Sequence, residues 1–244
     1  LPRLVVAGEG LDPRLFAADA PAADFAFSGV FEGQPGERLL GTFSLVNKLA
    51  GRLDQERLPL ASLAGAVFGD TAAAQFSDLV VDLGAAGKLA GEGAWRDGRV
   101  TLDLTSPRLD LAGLHRNLYV TRLATTLRLA GDAARQTLDA EVRESWGQGR
   151  FSLSHADATL RLDAASFQGQ AGRLDARGTL RLDATRAFDV AFDAAQINPA
   201  RFGRFPRARL NLRGEANGTL APALRLAAQF TLPPGDNEGR PVRG

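Results

Sequence analysis

Thr159-Leu160-Arg161-Leu162-Asp163-Ala164 returns letter for letter as Thr179-Leu180-Arg181-Leu182-Asp183-Ala184. The same phrase, leucine then a charge then leucine, stands at Leu127-Arg128-Leu129 and Leu224-Arg225-Leu226. Variants stand at Leu102-Asp103-Leu104, Leu109-Asp110-Leu111, Leu210-Asn211-Leu212 and Phe188-Asp189-Val190. Successive side chains of a strand point to opposite faces, so this alternation writes one apolar face and one charged face. It predicts an all-β chain, a long antiparallel meander with one continuous apolar side. A strand up, a strand back and two turns take roughly twenty residues, which puts the hexapeptide copies on alternate strands, facing the same way.

Outward from that stretch the pattern persists. Leu4 to Gly10, Phe25–Phe27, Thr42–Leu45 and Phe76–Leu83 read as strands, and Gly33-Gln34-Pro35-Gly36 as a turn. Asp12 suits a helix N-cap and Pro13 the first position of a single helical turn. Asp97-Gly98 marks a hairpin between Gly91–Arg96 and Arg99–Thr105, and Asn217-Gly218 marks another turn. Residues 47–75 are less regular, with Arg57-Leu58-Pro59-Leu60 a linking stretch. Thr121–Arg143 is rich in the helix formers Ala, Leu and Arg, yet its alternation reads as strand. A longer repeat relates 11–33 to 197–218: Asp12-Pro13-x-x-Phe16 and Phe25-x-Phe27-x-Gly29 match Asn198-Pro199-x-x-Phe202 and Leu210-x-Leu212-x-Gly214. Such self-similarity marks an array that grows by adding strands, here a single continuous segment over 1–244.

Composition narrows the function. The chain has 244 residues, 45% hydrophobic and 23% charged, with a formal net charge of +1 and acids and bases interleaved. One tyrosine and two tryptophans offer no stacking platform for nucleic acid. Without cysteine there is neither a disulfide nor thiol chemistry. No run reaches the roughly 18 apolar residues of a membrane span, and no signal peptide is recognisable. The absence of methionine, position 1 included, reads as a segment of a longer protein.

The chemistry of catalysis is missing, and no enzyme, cofactor or metal site is expected. His115 and His155 are isolated from metal-ligand partners. Gly84-Ala85-Ala86-Gly87-Lys88-Leu89 lacks the first glycine and the Ser/Thr of a P-loop, with Asp82 and Leu89 in their places. Asp103, Asp163 and Asp183 are expected in solvated cross-strand pairs with arginines.

A long sheet with one apolar face can pack on a second sheet, face lipid as a barrel, or curl around an apolar cargo. A barrel needs aromatic girdles, and full charges suit water better than a pore lining. Large aromatics are few and Leu, Val and Ala dominate the inward positions, a smooth wall that would hold phospholipid acyl chains. The expected form is therefore a long curled antiparallel meander forming a β-groove with apolar interior and charged exterior. Burying a sixteen-carbon chain at about 0.8 kcal/mol per methylene comes to roughly 12 kcal/mol. About seventeen strands at a spacing near 4.8 Å make a trough of roughly 80 Å. The expected lining is Leu102, Leu104, Leu127, Leu129, Leu160, Leu162, Leu180, Leu182, Leu210, Leu212, Leu224 and Leu226, with Arg128, Arg161, Arg181 and Arg225 in water. A chaperone-like scaffold that templates strands by β-augmentation and a closed β-sandwich without cargo are the alternatives.

Three stretches carry a family resemblance: Val46-Asn47-x-x-Ala50-Gly51-x-Leu53-Asp54-x-x-Arg57-Leu58-Pro59-Leu60, Gly87-Lys88-Leu89-Ala90-Gly91-Glu92-Gly93-Ala94-Trp95, and Ile197-Asn198-Pro199-Ala200-x-Phe202-Gly203-x-Phe205-Pro206. In their order, from about Leu11 to the C-terminus, the chain resembles the translocation and assembly module (TamB) family of the AsmA-like group. The resemblance implies an internal, taco-like groove segment of a bacterial protein anchored in the inner membrane and crossing the periplasm. It also implies phospholipid movement toward the outer membrane and support of outer-membrane protein assembly. The implied partner is a barrel of the outer-membrane insertase type (TamA), met through regions outside this segment.

Overall fold

The computed structural model describes residues 2–15, 20–198, 207, 209–231, 235–237 and 240–242. The chain is all-β, and fifteen antiparallel strands follow one another in sequence order in one sheet that is not closed. It divides into two compact units, 1–130 and 131–244.

The first unit holds β1 (Arg3–Leu11), β2 (Phe25–Gln34), β3 (Arg38–Asn47), β4 (Ser62–Gly69), β5 (Ala73–Asp82), β6 (Lys88–Arg96), β7 (Arg99–Leu109) and β8 (Leu123–Gly131). One end of its sheet carries tight turns. Asp97 and Gly98 take φ of +49° and +80°, the left-handed pair that a type I′ hairpin requires. At the other end the connections are longer: 12–24, 48–61, 83–87 and 110–122. Asp12 Oδ1 accepts from Arg14 N there, at 3.0 Å, as the single turn Pro13–Leu15 begins.

The second unit holds β9 (Arg135–Glu144), β10 (Gly147–Ala156), β11 (Thr159–Gly169), β12 (Gly172–Arg181), β13 (Ala187–Ile197), β14 (Leu210–Thr219) and β15 (Arg225–Thr231). The pair β16 (Gly235–Asn237) and β17 (Arg240–Val242) forms a separate ribbon. The Ala, Leu and Arg-rich stretch from Thr121 is strand, in β8 and β9, because alternating burial outweighs weak helical propensity.

Three expectations are corrected. The hexapeptide copies lie on adjacent strands: Leu160 on β11 pairs with Leu180 on β12, so the copies face the same way but meet directly. The first copy opens a strand and the second closes the next, so the twenty residues span one hairpin with a single turn rather than two turns. Asn217-Gly218 is no turn; it runs inside β14, paired with Asp189 and Phe188 of β13. Residues 62–69, read as part of an irregular link, are the regular strand β4.

The longer repeat has a structural meaning. Leu11 pairs with Phe25 after a bulge that begins at Gly8, and Ile197 pairs with Leu210 after a bulge that begins at Ala194. Gly10 and Gln196, each just before the paired residue, both take positive φ, +79° and +55°. Both copies therefore bend a strand just before a long connection. The second copy's Asn198-Pro199-x-x-Phe202 continues into 199–206, outside the described residues.

Candidate functional site

The strand registers sort every residue of each unit onto one of two faces. In the first unit Phe25, Phe27, Phe31, Phe43, Phe76, Leu45, Leu63, Leu79, Leu89, Trp95, Leu102 and Leu104 share the apolar face. In the second, Phe151, Leu153, Leu160, Leu162, Phe167, Leu174, Leu180, Phe188, Phe192 and Phe230 do so. Aromatic rings are therefore prominent on this wall, where few were expected among dominant Leu, Val and Ala. Phe68, on the opposite face, lies under the Arg38 guanidinium at 5.7 Å.

The rings fit because glycines face them. Gly41 sits directly opposite Phe31, and Gly65 opposite Phe43. Over Gly65 the rings of Phe43 and Phe76, two strands apart, meet edge to face at 6.2 Å. On β10 a methyl group built onto Gly147 would stand 2.5 Å from Phe167, whose ring tilts against Trp146 at 5.2 Å. Glycine weakens a strand by itself, and here the gaps at Gly41 and Gly147 are filled by the rings of Phe31 and Phe167 and that at Gly65 by the Leu79 side chain.

The expected lining falls into place unevenly. Leu102, Leu104, Leu160, Leu162, Leu180, Leu210 and Leu212 lie on the apolar face, buried or half-buried. Leu127 and Leu129 flank Arg128, which bonds Asp103 on the charged face, so both leucines turn to the apolar side. Leu226 is opposite Gly218 on that side but belongs to edge strand β15 and is 61% exposed. Leu182 and Leu224 lie beyond the ends of β12 and β15 and are 49% and 68% exposed, so neither is walled in. Arg161, Arg181 and Arg225 face water.

Charge pairs cover the opposite face. Arg150 faces Glu141 at 3.2 Å, and Arg128 reaches Asp103 at 2.7 Å. Asp163 and Asp183 pair with Arg161 and Arg181 of their own strand segments, two residues away, rather than across strands. A depression of about 910 Å³ runs over β11–β15, lined by Ala165, Ala176, Phe192, Gly214 and Phe230 of the apolar side together with Asp175, Asp193 and Arg213. Asp193 accepts from Arg213 Nε at 2.8 Å.

The long connections of the first unit form a bonded cap that sequence reasoning treated as a link. Asn47 is buried: its Oδ1 accepts from Asp24 N and Leu49 N, and its Nδ2 donates to Leu58 O. Leu53 N donates to Leu114 O at 2.9 Å. Asp54, its side chain 7% exposed, accepts from Arg116 N at 2.9 Å and lies 3.3 Å from Arg52 Nε. Those contacts, the Arg116 amide above all, hold the Asp54 carboxyl below the usual carboxylate range. Thr121 Oγ1 donates to Leu109 O and accepts from Leu111 N.

The described residues supply no second sheet beyond the short β16–β17 ribbon, and no helix longer than a single turn, to lie over the apolar face. Among the described residues no large side chain is fully buried. Among the described residues no His, Cys, Asp and Glu side chains gather into a metal-binding cluster, and no helix is long and apolar enough to cross a membrane. No family model, no curated protein and no solved structure matches the chain.

Proposed function

We propose that this chain is a β-groove segment whose open apolar face shields phospholipid acyl chains in transit between the inner and outer membranes, without catalysis. The observation that carries this reading is the face itself: among the described residues, Phe25, Leu79, Leu89 and Leu104 are buried on it, but most of its Phe and Leu side chains, Leu102, Leu160, Leu162, Leu180, Phe188 and Phe192 among them, are only half-buried. A sandwich would bury those side chains completely, and an apolar face of this extent stays open in water only when something is there to occupy it. Acyl chains suit it, because the expected Leu and the added Phe positions present few polar anchors to select a particular ligand. The resemblance to the translocation and assembly module family supports the same reading. It also supports a periplasmic place in an inner-membrane-anchored protein and a role in outer-membrane protein assembly beside a barrel partner.

The test is lipid retention after purification without detergent. The wild-type chain should carry phospholipid, and Leu162→Asp with Leu180→Asp should lose it while circular dichroism stays unchanged. A folded wild-type chain free of lipid contradicts the proposal.

A second reading has an observation of its own. β1 hydrogen-bonds on one side only, to β2, and exposes Leu4 and Val5, so an incoming strand could add there. In that case a proline at Val5 or Val6, rather than charges on the face, would abolish activity.

A further inference from the structure

The connection between β7 and β8 ends in an exposed apolar tip that the sheet does not use. Leu118, Tyr119 and Val120 are 44%, 52% and 77% exposed. Tyr119 is the only tyrosine of the chain, and residues 111–122 contain two arginines and a histidine but no acid.

This tip is held out rather than left loose. On its C-terminal side Thr121 is buried, its amide donating to Asp110 Oδ1 at 3.0 Å, and Asp110 N donates to Ala86 O. On its N-terminal side Leu114 O accepts from Leu53 N, Arg116 N donates to Asp54, and Leu118 N donates to His115 O. Gly113 lies so close to Ala85 and Ala86 that a Cβ would overlap their backbone. Both roots of the finger are therefore anchored in the cap, and three consecutive apolar side chains face water from a fixed support. Leu53, 47% exposed, donates its amide to Leu114 at the root of the finger.

The charges around the tip choose its occupant. Arg116 and Arg122 bracket Leu118–Val120, and Arg116 keeps most of its side chain in water although Asp54 lies 3.8 Å away. An aromatic and two aliphatic tips between arginines match the headgroup boundary of a bilayer. There the rings and methyls enter the acyl edge and the guanidinium groups meet phosphate. We infer that the 114–122 finger docks the first unit onto an anionic phospholipid surface. This inference is independent of whether the apolar face of the sheet carries acyl chains.

Co-sedimentation of the whole chain with vesicles tests it. Vesicles of phosphatidylcholine with phosphatidylglycerol should bind the chain, and phosphatidylcholine alone should bind it more weakly. The triple variant Leu118→Ser, Tyr119→Ser, Val120→Ser should bind about tenfold or more weakly. Arg116→Gln with Arg122→Gln should remove the preference for the anionic lipid and its salt sensitivity. Thr42→Ala, on the water-facing side of β3, should dock like the wild type. The inference is overturned if the folded wild-type chain stays in the supernatant, or if the triple variant binds like the wild type. It is equally overturned if the finger mediates self-association that the triple variant abolishes.

Discussion

Phe31 on β2 sits directly opposite Gly41 on β3, and its ring occupies the space where a side chain at Gly41 would begin. A Cβ there would also overlap the Val30 carbonyl oxygen, so the neighbour cannot simply swing away. Gly41→Ala should therefore destabilise the chain by about 1–3 kcal/mol through overpacking. Thr42→Ala, next along the strand on the other face, should change stability by less than about 1 kcal/mol. Urea unfolding of both variants measures the contrast, and equal losses would contradict the packing described for this wall.

The two faces should differ in the same way around β7. Leu104 is buried, and Leu104→Ala should cost about 2–4 kcal/mol. Asp103, its neighbour, meets Arg128 in water, with side chains 51% and 71% exposed. Arg128→Ala should cost no more than about 1 kcal/mol, because an exposed pair is screened and pays entropy to hold its geometry. Thermal melts of the two single variants decide it.

Asp54 gives the cap a pH dependence with a definite sign. Its carboxyl is held below the ordinary aspartate value of about 3.9 by the Arg116 amide and by Arg52. A lowered folded-state pKa stabilises the chain above the unfolded value, and that contribution is lost as pH falls through the folded one. The difference in melting temperature between wild type and Asp54→Asn should thus be full at neutral pH and shrink as pH drops below about 4. A difference that stays constant through that window would show that the ionised carboxylate does not hold the two connections together.

The regular alternation of the sheet was legible because a period of two is a local property. Leu160, Leu162 and Leu180 announce their face without reference to any other strand. The aromatic share of the wall was less visible, although Phe25-x-Phe27-x-Gly29-x-Phe31-x-Gly33 carries the same period and shows both the rings and the glycines that receive them. Asn217-Gly218 misled because turn chemistry is a local preference, and here the pairing of β14 with β13 and β15 overrides it. The cap was invisible for a different reason. Its defining bond joins Asp54 to Arg116, 62 residues apart, and no spacing rule connects two loops at that distance. Leu182 and Leu224 were placed on the wall by parity alone, which says which way a residue would point but not where its strand stops.

Leu180 and Arg181 test most directly the proposal that the open face holds lipid, because they are adjacent and opposite. Leu180 faces Leu160 on the apolar side, whereas Arg181 is turned to water and paired with Asp183. A photo-crosslinking residue at each position, in cells that express the complete protein, separates the faces by a single step along the chain. The account predicts phospholipid adducts at position 180 and none at 181. Adducts at neither, with the protein folded, would show that the face is covered by protein and would contradict the claim.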